Sequence, residues 1–295
     1  MLDSIKGLFR PYFKSPQRYH VEIAVHAIPN DSNLILPYPC TTPRQTVSDV
    51  TIYTTGQAVQ HDGFFVVTNS DTATVSAQVN CEPYPDSIEV LGGISAEQQL
   101  AEHRYLESDD YVQSNLPEIQ VTAAKLSAGL TDTYAILERL YSHTLERLTY
   151  GNAYAGLYTT QEALTLPQVD CGGFSTYLAA LARACGIPSR IVAGFWAGDG
   201  KNHMHAWLEC LLPNNDWLPI DASVAWLKQH HRTKKLGGFG ELGSDRIVTS
   251  VGSHHVVRLN GVELPVGILQ VPLFVDANNA VHFSSTNYIT AKRIR

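Results

Sequence analysis

From Arg18 to about Val121 the chain reads as short strands, with apolar and polar positions alternating in short runs. YHVEIAVHAI, QTVSDVTIYTT, GFFVVTNS and TATVSAQVNC combine β-branched and aromatic residues with a partial two-residue period, the pattern of strands with one buried face. IPNDSN, YPCTTP, HDG and NSD interrupt them with residues that favour turns. Short strands punctuated in this way predict an amino-terminal β-sandwich domain over residues 1–116.

After Leu116 the period changes. Pro117 suits a first helical turn, and PEIQVTAAKLSAG predicts a helix ending near Gly129. In TDTYAILERLYSHTLERLTYG, Thr131 or Asp132 caps a second helix whose Ile136, Leu137, Leu140, Tyr141, Leu145 and Leu148 form one stripe, with Gly151 as its stop. A third begins near Cys171, presents Phe174, Tyr177, Leu178, Leu181 and Ala182 on one side, and ends at Gly186 and Pro188. SRIVAGFWAG and HMHAWLECLL then read as strands, and PNND as the turn into the return strand WLPIDAS. Helices followed by strands predict an α+β core over residues 117–295. KQHHRTKKLGGFGELG reads as an exposed basic connection without an element. The closing HHVVRLNGVELPVGILQVPLFV returns to strands around Asn260 and Gly261, placed over the core or at the edge of its sheet.

Composition narrows the class. With 295 residues, 44% apolar and 17% charged, the chain is globular and long enough for one large or two modest domains. Its 21 basic and 28 acidic residues give −7, which argues against nucleic acid and anionic lipid as partners. No apolar run reaches membrane-spanning length and no secretory pattern opens the sequence, so no membrane association is expected. Five cysteines, Cys40, Cys81, Cys171, Cys185 and Cys210, fit reduced thiols and a cytoplasmic setting better than a disulfide framework.

Chemistry concentrates at Cys171. A helix start offers unpaired N–H groups and a positive dipole end, which predicts a thiol pulled below its ordinary pKa, and Gly172 and Gly173 leave room beside the sulfur. A lone cysteine is more often a small buried hydrophobe, the reading given to Cys185. His205 and Asp221 shift the balance, because thiolate chemistry needs an imidazole and an acceptor that orients it. In the hairpin, His205, Trp207 and Glu209 share one face, Trp217, Pro219 and Asp221 another, and His205 and Asp221 fall within a few residues of being opposite. His203 is the rival histidine. Trp207 either lines the cleft or packs in the core, and Glu209 either ties down the catalytic face or makes a structural ion pair. The histidines lack convergent ligands and the cysteines lack C-x-x-C spacing, so neither metal nor cofactor is expected. ESDDY reads as a solvated face and GGFGELG as a loop, not a phosphate cradle.

CGGFSTYLAALARACGIPSRIVAGF, then HAWLE, then WLPIDAS resembles the transglutaminase-like superfamily, in particular its bacterial transglutaminase-like cysteine peptidases. Bacterial members are also similar in having a β domain, two helices before the cysteine and a segment like GELGSDRIVTSVG after it. The resemblance implies a papain/transglutaminase-like core, in which the helix carrying Cys171 packs on an antiparallel sheet carrying His205 and Asp221. It implies Cys171 as nucleophile, His205 as general base and acid, and Asp221 as the residue that orients His205. A thioester formed from a peptide or isopeptide amide is then resolved by water, as in a peptidase or amidase, or by a primary amine, as in a transglutaminase. Hydrolysis is favoured, because nothing in the sequence signals a water-excluding or amine-binding site. A catalytically silent binding module is the reading from another class. The Cys171 N–H is one oxyanion donor, with Gln161, Gln168 and Tyr158 as candidates for the second. FWAGDGKN is the candidate gating loop.

Overall fold

The computed structural model describes residues 12–85, 90–197, 203–259, 261–284 and 287–294. Six amino-terminal strands come first: β1 (Gln17–Val25), β2 (Asn33–Pro37), β3 (Gln45–Thr54), β4 (Gln57–His61), β5 (Phe64–Thr68) and β6 (Ala73–Cys81). Five helices follow: α1 (Ala96–Ala101), α2 (Pro117–Ser127), α3 (Thr133–Arg147), α4 (Thr160–Thr165) and α5 (Cys171–Ala184). Strands β7 (Ser189–Trp196), β8 (Met204–Leu211) and β9 (Trp217–Ile220) lead to helix α6 (Ala222–Gln229) and strand β10 (Arg246–Val251). The chain closes with β11 (His255–Leu259), β12 (Val262–Val266), β13 (Leu273–Val275), β14 (Val281–Phe283) and β15 (Asn287–Ile294).

The expected β-sandwich is present, but it is built from both ends of the chain. One sheet has the order β15-β1-β6-β3 and the other β14-β13-β2-β5-β4. Tyr19, Val21, Ile23 and Val75 of the first meet Leu34, Leu36, Phe65 and Val67 of the second in one buried cluster. The division at residues 116 and 117 therefore does not follow the strand pairing. β15 pairs antiparallel along the whole of β1, and β13 pairs with β2. The closing strands do not extend the sheet of the α+β core either: the β11–β12 hairpin covers the outer face of β2 and β5 through Val257, Leu259, Leu264 and Val266. A sheet edge or an apolar outer face needs a cover, and alternation alone does not name which segment supplies it.

The α+β core is a four-stranded antiparallel sheet, β10-β7-β8-β9, against which α5 packs. Twelve of the fourteen residues of α5 are buried, so this is a central helix, apolar almost all round. Phe174, Leu178 and Leu181 are fully buried, and truncating any one to alanine costs about 2–5 kcal/mol. α2, α3 and α4 pack around α5, their starts set by Pro117, by the Asp132 cap and by a capping box between Thr159 and Glu162. The ESDDY run is not simply solvated, since Asp109 pairs with the buried Arg183 at 2.8 Å and accepts from Ser253 at 2.6 Å.

Candidate active site

Two helix starts and one strand assemble the site. Asp170 caps α5, its Oδ1 accepting from the Gly172 N–H at 2.8 Å, which leaves Cys171 at the first helical position. Asp221 caps α6 in the same way, its Oδ1 accepting from the Val224 N–H at 3.1 Å and from the Ser223 hydroxyl at 3.0 Å. WLPIDAS is thus a short strand, β9, followed directly by a helix, where the sequence pattern predicts strand throughout. ASVAWLKQ carries no stop signal to separate it from the strand.

His205 lies on β8, and the register fixes its relation to Asp221. Ile220 pairs with Leu208, so Asp221 lies one step beyond, on the diagonal from His205. The His205 Nε2 is 2.7 Å from Asp221 Oδ2, and the two residues are 5% and 1% exposed. With Nε2 held by the carboxylate, Nδ1 is the ring nitrogen left for proton exchange. The backbone N–H groups of Ala206, the next residue, and of Gly172 act on the Cys171 thiol in the lowering direction. Cys171 as a residue is half-buried. His205 and Asp221 are thus joined, and the helix that starts at Cys171 packs on the strand that carries His205. His203 is exposed at the start of the strand and takes no part.

Electrostatics at the sulfur run against the simple helix-start expectation. Burial pushes the Cys171 thiol up, the Asp170 carboxylate adds to this, and the two N–H groups only partly offset it. Burial also pushes the Asp170 carboxyl up, against the N–H groups of Tyr154, Gly172 and Gly173. For Asp221, burial acts upward, but the His205 and Arg246 charges and the hydrogen bonds from His205 and Val224 outweigh it and hold the carboxyl well below the usual range.

Several functional neighbours were not singled out from sequence. Arg246 donates Nη2 to Asp221 Oδ2 at 3.1 Å and to the Leu236 carbonyl at 2.6 Å, while its Nη1 meets Asp245 at 2.8 Å. Trp196 lies against the His205 ring, centroids 4.8 Å apart, with the Arg246 guanidinium on the Trp196 ring. The glycine-rich connection is no loose loop: Gly237 has φ 145° beside Asp221 and Arg246, and the Gly238 carbonyl accepts from the Asp221 N–H at 2.8 Å. The signal for Arg246 was its place in GELGSDRIVTSVG, and for Asp170 its position one residue before a helix.

Other expectations change. Gly172 and Gly173 do not make room for a ligand; a Cβ there would meet Leu157 at 3.1 Å and Val169 at 2.5 Å, so they permit close packing of α5 on its neighbours. Trp207 is core, 1% exposed, and Glu209 makes an ion pair with Arg190 at 2.6 Å. Among the candidate oxyanion donors, Gln161 and Gln168 are exposed, and Tyr158 is buried with its hydroxyl 2.5 Å from the Asn152 carbonyl. None has a described hydrogen bond to Cys171. Residues 198–202 of FWAGDGKN lie outside the described residues. Among the described residues no three His, Cys, Asp or Glu side chains converge as metal ligands, and no helix is long and apolar enough to cross a membrane.

Comparison with known proteins agrees with this architecture. No curated protein matches the chain. Among solved structures, a candidate cysteine protease from Cytophaga hutchinsonii superposes with TM-score 0.59 at 14% identity, over 95% of this chain and 89% of that one. The periplasmic domain of TgpA from Pseudomonas aeruginosa superposes with TM-score 0.47 at 17% identity, over 74% of this chain and 73% of that one. The first likeness shows a shared fold. The family model of the transglutaminase-like superfamily matches residues 120–222, the stretch that holds α2 to α5, the β7–β9 hairpins, Cys171, His205 and Asp221. Residues 120–222 of this chain thus match a transglutaminase-like domain.

Proposed function

We propose that the protein is a cysteine hydrolase that cleaves peptide or isopeptide amides through a thioester on Cys171. One observation carries the reading: buried Asp221 holds His205 Nε2 at 2.7 Å, on the strand against which the helix that begins at Cys171 packs. A structural cysteine has no need of an oriented imidazole behind it.

In this reading the sulfur attacks the amide carbonyl as His205 Nδ1 takes the thiol proton, so the S–C bond forms without a free thiolate at rest. The Cys171 N–H, which the helix start leaves without an intrahelical partner, faces the developing oxyanion. As the C–N bond breaks, His205 returns the proton to the leaving amine. Water then attacks the thioester, His205 accepts a water proton, and the sulfur leaves and regains it. Asp221 stabilises the imidazolium at both stages and keeps Nδ1 aimed at the sulfur.

Water is the acceptor in this proposal because it needs no second subsite. The test is to offer the protein a labelled primary amine together with a glutamine-bearing protein. Cleavage products that depend on Cys171, without incorporation of label, support hydrolysis; Cys171-dependent incorporation makes it a transglutaminase.

A further inference from the structure

Among the described residues, two cations, Arg232 and Lys235, lie on the aromatic rings that pack beside the Cys171 helix and His205, although the chain as a whole has a net charge of −7. Both carboxylates of the site turn inward. Asp170 is 5% exposed and accepts from the N–H groups of Gly172 and Tyr154, and Asp221 is 1% exposed and accepts from His205, Arg246 and Val224.

The basic segment after α6 does the opposite. The helix ends in a Schellman turn: His231 takes φ 56°, its N–H meets the Lys228 carbonyl at 3.1 Å, and the Arg232 N–H meets the Leu227 carbonyl at 2.8 Å. The reversal lays exposed Arg232 over the Tyr150 ring, with Cζ 5.7 Å from the centroid and Nη1 3.3 Å from the Tyr150 carbonyl. Trp226 supports the same guanidinium at 5.8 Å. Tyr150 in turn bridges to Val169, two residues before Cys171, and its ring lies 6.2 Å from Phe174 in the first turn of α5. On the histidine side, Lys235 Nζ lies 3.8 Å from the centroid of Trp196, which packs on His205.

We propose that the site prefers acyl donors that carry a carboxylate close to the reacting carbonyl, with Arg232 as the group that recognises that charge. The proposal rests on the thiol chemistry argued above and names the substrate class of that same site. A guanidinium on an aromatic platform is held in orientation at small entropic cost, and its planar fork matches a carboxylate. The Tyr150 carbonyl uses one of its five N–H donors.

The test needs no knowledge of the natural substrate. Iodoacetate and iodoacetamide differ by a carboxylate in place of an amide, and alkylation of Cys171 in the full chain is followed by peptide mass mapping at pH 8 and low salt, with glutathione as reference. The expected iodoacetate to iodoacetamide rate ratio at Cys171 is about fivefold above that of glutathione, the upper range for one partly exposed ion pair. It falls toward the glutathione ratio in Arg232→Gln, persists in Arg232→Lys, and shrinks in the unmutated chain as salt rises. A glutathione-like ratio at a reactive Cys171, or a raised ratio indifferent to salt and to Arg232→Gln, overturns the carboxylate preference and leaves the thiol reading standing. A Cys171 that resists both reagents in the folded chain but reacts in urea removes the thiol reading and this proposal together.

Discussion

Arg246 and His205 share one oxygen: Asp221 Oδ2 lies 3.1 Å from Arg246 Nη2 and 2.7 Å from His205 Nε2. The carboxylate is thereby fixed from two directions, while its other oxygen caps α6. Removing the guanidinium leaves an almost fully buried charge with one partner fewer. Arg246→Gln is expected to lower stability by about 3–5 kcal/mol, measured by urea unfolding, with Arg246→Lys recovering part of the loss.

Asp221→Asn separates the two jobs of this residue. The asparagine oxygen can still cap α6, so the stability loss should be smaller than in Asp221→Ala, which loses the cap at about 1 kcal/mol and also leaves Arg246 without its partner. Its amide presents a donor where the His205 ring needs an acceptor, so turnover is expected to fall by about 10²- to 10⁴-fold. Matched urea curves and rates for the two variants check this.

Asp170 sits beside the thiol as an N-cap, and its charge opposes thiolate formation. Asparagine caps as well as aspartate. Asp170→Asn therefore removes the charge and keeps the helix start, and Cys171 alkylation by iodoacetamide at pH 8 is expected to rise by about threefold or more, with the rate profile displaced to lower pH.

Acid should weaken the fold through Asp221. Its carboxyl is held below the ordinary value, so its contribution is present above the unfolded pKa of about 3.9 and is lost as pH falls further toward the folded value. Asp170 is shifted upward and works in the opposite sense, giving back part of the loss. Urea midpoints at pH 7, 4 and 3 should drop below pH 4, and the drop should be shallower in Asp221→Asn.

The His205–Asp221 pair was legible in sequence because it lies within one hairpin, His205 on β8 and Asp221 at the end of β9 where α6 begins. The long helices were legible for a like reason, since Asp132, Pro117 and the Gly186 stop all lie within the segments they bound. Long-range closure was not. Nothing in NYITAKRI announces that it pairs with QRYHVEIAV more than 260 residues earlier, because edge pairing is chosen by tertiary geometry. Arg246 escaped for the same reason, as its partner Asp221 lies 25 residues away across the Gly237 and Gly238 turn. The direction of the Cys171 shift was misread because a helix start is visible in sequence, whereas the burial that opposes it is not.

The central claim is that Cys171 takes an acyl group with the help of His205. The direct measurement is intact-protein and peptide mass spectrometry after brief exposure of the full chain to p-nitrophenyl acetate. The account predicts one acetyl group on Cys171, none in Cys171→Ala, and formation slowed by about 10²-fold or more in His205→Gln. Acetylation confined to other residues, or ester turnover unchanged in Cys171→Ala, would contradict it.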